Sequence, residues 1–149
     1  MHRLLPWFAI FLLVGCSEAN GPAISADDAW IREPAPGRDL AAGYVTLTNN
    51  TATARSLVAA SSDNASSTEI HEMTHEDGMM RMREIDAIAL PAGERVRLEP
   101  GGLHLMLRNL SPSEAGERIP VTLEFDDGSR LELDFPIRTD SAGGGHGNH

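Results

Sequence analysis

The chain has 149 residues, with 22 acidic and 12 basic side chains and a formal net charge of −10. An acidic chain repels nucleic acid and anionic lipid head groups, which argues against a nucleic-acid partner. Cys16 is the only cysteine, so a disulfide framework is excluded, and no cysteine nucleophile or thiolate metal site can lie beyond it.

Residues 1–15 read as a lipoprotein signal peptide. Arg3 precedes an apolar run of about a dozen residues, too short to cross a bilayer, which needs about 20 helical residues. The run ends in Leu13-Val14-Gly15-Cys16, which resembles the bacterial lipobox, whose cysteine is lipidated and becomes the new N-terminus. Two or more acyl chains make a durable anchor. Residues 16–23 then form a short lipidated tether, residues 24–138 one domain, and residues 139–149 a flexible tail. The tail is Gly-rich and carries His146 and His149, either as a loose copper(II) site or as incidental solvated side chains.

Within the domain, apolar residues alternate at period two. Tyr44-Val45-Thr46-Leu47-Thr48 reads as a strand ended by Asn49-Asn50. Glu94-Arg95-Val96-Arg97-Leu98 and Leu103-His104-Leu105-Met106-Leu107 flank Pro100-Gly101-Gly102 and are expected to form a turn-linked pair. Val121-Thr122-Leu123-Glu124-Phe125 and Leu131-Glu132-Leu133-Asp134-Phe135 flank an Asp127-Gly128 turn signal and predict a hairpin. No segment shows sustained helical periodicity with caps. Short strands separated by Gly, Pro and Asn predict an all-β antiparallel sandwich or barrel.

The chemistry lies in the methionines. Beyond residue 16 they are Met73, Met79, Met80, Met82 and Met106; His71 and His75 accompany the first four, and His104 the last. Period two places Leu103, Leu105 and Leu107 on one face and His104 and Met106 on the other. A Leu row belongs in a core, which leaves a thioether and an imidazole together on the opposite face. His71 and Met73 share a face, as do Met80 and Met82. Thioether sulfur is a soft, neutral ligand, poor for zinc, calcium or magnesium and good for copper(I). A blue-copper centre would need a cysteine thiolate beyond Cys16. Enzyme signatures are missing: there is no Gly-x-Ser-x-Gly elbow. His71-Glu72-Met73-Thr74-His75 mimics H-E-x-x-H, but that motif needs a helix, and here a strand runs into a Glu-Asp-Gly turn.

His71, ten residues, Met82, twenty-one residues, His104, one residue, Met106 resembles the H-x10-M-x21-H-x-M signature of the PCuAC family of periplasmic copper chaperones. Ala29-Trp30-Ile31-Arg32, Ala41-Ala42-Gly43-Tyr44, Glu69-Ile70-His71-Glu72-Met73, Met80-Arg81-Met82-Arg83 and the Pro100 to Leu107 stretch extend the resemblance. It implies a cupredoxin-like β-fold and a surface-exposed copper(I) site of His71, Met82, His104 and Met106. Met73 and Met80 are auxiliary candidates, and Met79 and His75 are spare. With no catalytic motif beyond Cys16, the chain is expected to be a monomeric, non-enzymatic carrier. The expected partners are a copper acceptor, such as the CuA domain of cytochrome c oxidase, and a thioredoxin-like SCO assembly factor. The lipid anchor implies a periplasmic membrane surface, inner or outer. A copper-sequestering protein without a transfer partner is the alternative.

Overall fold

The computed structural model describes residues 21–139. Cys16 with its signal and most of its tether, and the tail histidines His146 and His149, lie outside the described residues.

The described residues form ten strands and no helix. They are β1 (Ile24–Arg32), β2 (Ala41–Asn49), β3 (Arg55–Ser61), β4 (Ser67–Glu76), β5 (Met79–Glu84), β6 (Ile88–Leu90), β7 (Arg95–Leu98), β8 (Leu103–Arg108), β9 (Arg118–Phe125) and β10 (Arg130–Arg138). Hydrogen bonding runs β5-β4-β8-β2-β1-β10-β9-β3-β6, and Ala60 on β3 pairs with Thr68 on β4. That last pairing closes the sheet into a barrel and removes most of its free edges. All pairs are antiparallel except β1 with β10, which run parallel through Ile31↔Ile137 and Arg32↔Arg138.

The expected hairpin forms. β9 and β10 pair from Glu124↔Arg130 to Arg118↔Pro136, around Asp127 and a positive-φ Gly128. The expected pairing of residues 94–98 with 103–107 does not form. Both β7 and β8 pair with β2 instead, β7 with Val45 to Thr48 and β8 with Ala41 to Gly43. They are two halves of one interrupted strand. Gly101 at φ 83° and the Gly102 N–H to Glu99 C=O bond turn the loop back on itself, and the chain resumes its former direction. The Pro-Gly-Gly signal marks an interruption here, not a reversal.

The barrel interior takes the predicted apolar face of each strand. Leu47, Leu57, Leu105, Leu107, Leu123, Phe125 and Phe135 are fully buried there. One polar side chain joins them: Asn49, with no exposed surface. Its Nδ2 donates to the carbonyls of Leu90 and Thr53, each at 2.9 Å, and its Oδ1 accepts from the Thr51 N–H at 3.0 Å and hydroxyl at 2.7 Å. The residue expected to end a strand thus ties β6 and the loop after β2 to the barrel.

Asn49→Leu leaves the Leu90 carbonyl buried without that partner. Urea denaturation of the variant should show a loss of about 1–3 kcal/mol; an unchanged midpoint would mean that the Asn49 bonds are dispensable.

Candidate metal centre

The register of three strands builds the site. β4 pairs with β8 through Glu69↔Met106 and His71↔His104, and with β5 through His71↔Glu84, Met73↔Met82 and His75↔Met80. Side chains alternate across a strand, so one outer face carries Glu69, His71, Met73 and His75 from β4. His104 and Met106 from β8 and Met80, Met82 and Glu84 from β5 complete it. Ile70, Leu105 and Leu107 point the other way, into the core. Met79 shares its face with Arg81 and Arg83 and is turned away from this array.

His71 and His104 are direct cross-strand partners with ring centroids 5.7 Å apart. Both are 4% exposed, and Met106 is 6% exposed. Met106 is nevertheless outside the continuous core cluster of the barrel. A second layer covers the outer face instead. Tyr44 lies 6.5 Å from the His104 ring, Trp30 packs 4.6 Å from Tyr44, and the Arg138 guanidinium lies over Trp30. Met82, in contrast, is 48% exposed on the strand at the end of the pairing path. The expectation of a surface-exposed site therefore needs correction. His71, His104 and Met106 lie together and buried, and Met82 alone of the four is open to solvent, one register step along the hairpin. Part of the reason is the Tyr44 ring beside His104, on a face that strand periodicity alone leaves unassigned.

Hydrogen bonding assigns the lone pairs. His104 Nδ1 lies 3.1 Å from the Gly102 carbonyl and must donate to it, which leaves Nε2 as the lone-pair nitrogen. His71 Nε2 lies 2.8 Å from Glu69 Oε2 and donates there. Its Nδ1 is then the lone-pair nitrogen, buried without a hydrogen-bond partner. A buried acceptor left unpaired costs about 1–3 kcal/mol, and a metal ion is a partner that would satisfy it. Burial, outweighing the Gly102 bond that alone would raise it and aided by the nearby His71, sets the His104 pKa below the usual imidazole value, which favours the neutral ring that can coordinate.

Glu69 and Arg108 escaped the sequence reading. Arg108 Nε donates to Glu69 Oε1 at 2.6 Å, and Glu69 passes the polarity on to His71 through its other oxygen. The Arg108 guanidinium first, and His71 second, hold the Glu69 carboxyl at about 2 instead of 4.5. An ionised Glu69 can only accept, which fixes the His71 tautomer, as carboxylates do behind metal-bound histidines. Glu84 brings a further carboxylate: one donor atom each from Glu69, His71 and Glu84 lies within 4.8 Å of the others. The signal for all three was available, because extending period two by one step from His71, Met106 and Met82 reaches Glu69, Arg108 and Glu84. A separate surface cleft, lined by Glu33, Arg38, Asp39, Ser111, Glu114 and Glu117 among others, holds no His, Met or Cys.

A closed all-β barrel of this kind is a cupredoxin-like fold, and solved PCuAC domains share it. The copper-bound PCuAC domain from PmoF2 superposes with a TM-score of 0.66 at 25% identity, over 79% of this chain and 94% of that one. CuI-DR1885 from Deinococcus radiodurans gives 0.62 at 29%, over 78% and 77%. In sequence, residues 24–137 match the family model described as "Putative lipoprotein LpqE-like", and the chain belongs to that family. "Putative lipoprotein Lxx21020" of Leifsonia xyli subsp. xyli is 36% identical over 81% of this chain and 72% of its own length. "Uncharacterized protein RP573" of Rickettsia prowazekii is 30% identical over 66% and 55%.

The Glu69 carboxyl is predicted to shape stability in acid. Its folded pKa lies below its unfolded one, so between about pH 4.5 and 2 the unfolded chain binds more protons. Stability from this group is complete above pH 4.5 and is lost as pH falls toward 2. Acid titration of Glu69→Gln should show a flatter fall over that window than the parent; an identical fall would assign the acid sensitivity to other carboxylates.

Proposed function

We propose that this chain is an extracytoplasmic copper(I) carrier, lipid-anchored through Cys16 after removal of residues 1–15, whose cargo is held by His71, Met82, His104 and Met106. The observation that carries this reading is the buried His71–His104 pair with an unpartnered Nδ1, beside a thioether that the core does not need. Two imidazoles and two thioethers form a neutral, soft ligand set, which suits the monovalent ion and contains no thiol to oxidise outside the cytoplasm. Copper binding by the related PmoF2 domain and by CuI-DR1885 supports the cargo. The lipoprotein descriptions of the family and of the Leifsonia relative support the anchor.

The exposure difference suggests an order of exchange. Met82 is the ligand an acceptor reaches first; His71, His104 and Met106 follow from beneath. Such stepwise displacement is what a metallochaperone needs, and the CuA domain of cytochrome c oxidase, with a thioredoxin-like SCO factor alongside, is the acceptor system we propose. The cargo-bearing unit is residues 24–138, a monomer acting at a periplasmic membrane surface without catalysis of its own. One observation favours a sequestering protein instead: three of the four ligands are buried, which slows release. Copper transfer to a purified CuA domain separates the two readings. Full transfer supports the chaperone, and retention supports sequestration.

Met106→Leu keeps shape and hydrophobicity at a buried position and should cost less than about 1.5 kcal/mol in stability. It should weaken copper(I) binding, measured by competition with a chromogenic chelator, by at least about tenfold, since even outer-shell changes cost 10–100-fold. Unchanged affinity would remove Met106 from the ligand set. Affinity should also fall with pH as protons compete for imidazole. Because burial lowers the His104 pKa, that ring contributes its loss below the free-imidazole range of about 6.5. Affinity constant down to pH 4 would argue against imidazole ligands.

A further inference from the structure

The β4–β5 hairpin carries soft donors beyond the site already described. Asp77 and Gly78, with φ of 52° and 77°, make the two-residue turn whose twist suits a hairpin. That turn fixes the register Glu76↔Met79, His75↔Met80, Thr74↔Arg81 and Met73↔Met82. The pair next to such a turn exchanges backbone hydrogen bonds, and the pairs alternate from there. His75/Met80, Met73/Met82 and His71/Glu84 therefore all fall at non-hydrogen-bonded positions, where side chains approach most closely, at about 4.5 Å between Cα atoms. In agreement, the Met73 N–H turns away from β5 and donates to Gly102 C=O.

His75 Nδ1 and Met80 Sδ lie 3.2 Å apart at the hairpin tip, both on exposed residues. Met80 is 53% and Met82 48% exposed, so packing does not account for either thioether. Divalent hard ions have no use for this pair, whereas a soft monovalent cation takes both donors. With first-row bonds of about 2.0 Å to nitrogen and 2.3 Å to sulfur, the two atoms need to separate by about 0.3–0.5 Å to reach a tetrahedral or trigonal angle at a metal. Nothing packs over them to prevent it.

We infer that His75 and Met80, with Met82 as a shared third donor, form a second site for a soft monovalent cation of the copper(I) or silver(I) class, and that this site is the port through which metal reaches His71, His104 and Met106. Met82 belongs to both donor sets, one register step from each. Transfer is ligand exchange without redox change: the ion gains one bond from the buried set as it loses one from the tip. The tip site stands on its own geometry; its role as a port rests on the carrier reading.

Silver(I), which needs no reductant, is the probe. Methionine-methyl and histidine-ring NMR of the whole protein should report two events. The Met106 methyl and the His71 and His104 rings shift first, and the His75 ring and Met80 methyl shift on further addition. In His104→Ala/Met106→Ala, the His75 and Met80 shifts should remain and the tight event vanish. Absence of shifts at His75 and Met80 in the parent protein at excess silver overturns the tip site and leaves the carrier reading standing. Survival of the tight event in the double variant overturns the carrier site and leaves the tip site standing. The port is tested with His75→Ala/Met80→Leu. Its release of copper(I) to bathocuproine disulfonate should slow by about fivefold or more while equilibrium affinity changes less, a kinetic effect distinct from lost binding. An unchanged release rate overturns the port.

Discussion

The structure depends on the pairing of β4 with β8 in a register that sets His71 opposite His104. Strand side chains alternate, so this one register decides two things together: Ile70, Leu105 and Leu107 fill the barrel, and His71, His104 and Met106 gather outside it. A slip by one residue would bury imidazoles among leucines and expose the leucines. The apolar face thus holds the donor face in place, and the donors need no loop to bring them together. Sites carried on strands are more exact than sites on loops, which suits a face proposed to bind one ion through several side chains.

Burial on the outer face creates an electrostatic demand that the neighbours meet unequally. His104 is satisfied by the Gly102 carbonyl, and His71 Nε2 by Glu69, itself held by Arg108. His71 Nδ1 is left over. In an ordinary core such an atom would be replaced or paired. Here the bond from Nε2 to Glu69 makes Nδ1 the lone-pair atom of the neutral ring, on the face that carries the other donors. The same arrangement makes the ionised Glu69 a counter-charge close to any cation bound by His71.

The alternation of Leu103 to Leu107 made the two faces of β8 legible in sequence, and Asp127-Gly128 made the β9–β10 hairpin legible, because both depend on local geometry. The parallel β1–β10 pair and the barrel closure through Ala60 and Thr68 depend on contacts far apart in the chain and leave no local trace. Pro100-Gly101-Gly102 misled for a related reason. A turn signal says that the chain bends, while the free edge of β2 decides what it bends back to. The histidine and methionine positions were legible as chemistry, but the burial of His71, His104 and Met106 was not. For His104 it arises in part from Tyr44 on another strand, backed by Trp30, ring contacts that no spacing rule describes. Glu69 and Arg108 were missed because charged residues at outward strand positions read as solvated surface until their hydrogen bonds are seen.

The described domain thus presents buried His71, His104 and Met106, proposed with the exposed Met82 as one soft metal site, and a hairpin of further soft donors beside them. X-ray absorption of the copper-loaded protein under reducing conditions tests the central claim most directly. A copper(I) edge with mixed sulfur and nitrogen scattering is expected, with loss of the sulfur contribution from Met106 in Met106→Leu. A shell of nitrogen and oxygen alone would contradict it, placing the metal on carboxylates or on histidines of the tail and leaving the methionines without a metal to hold.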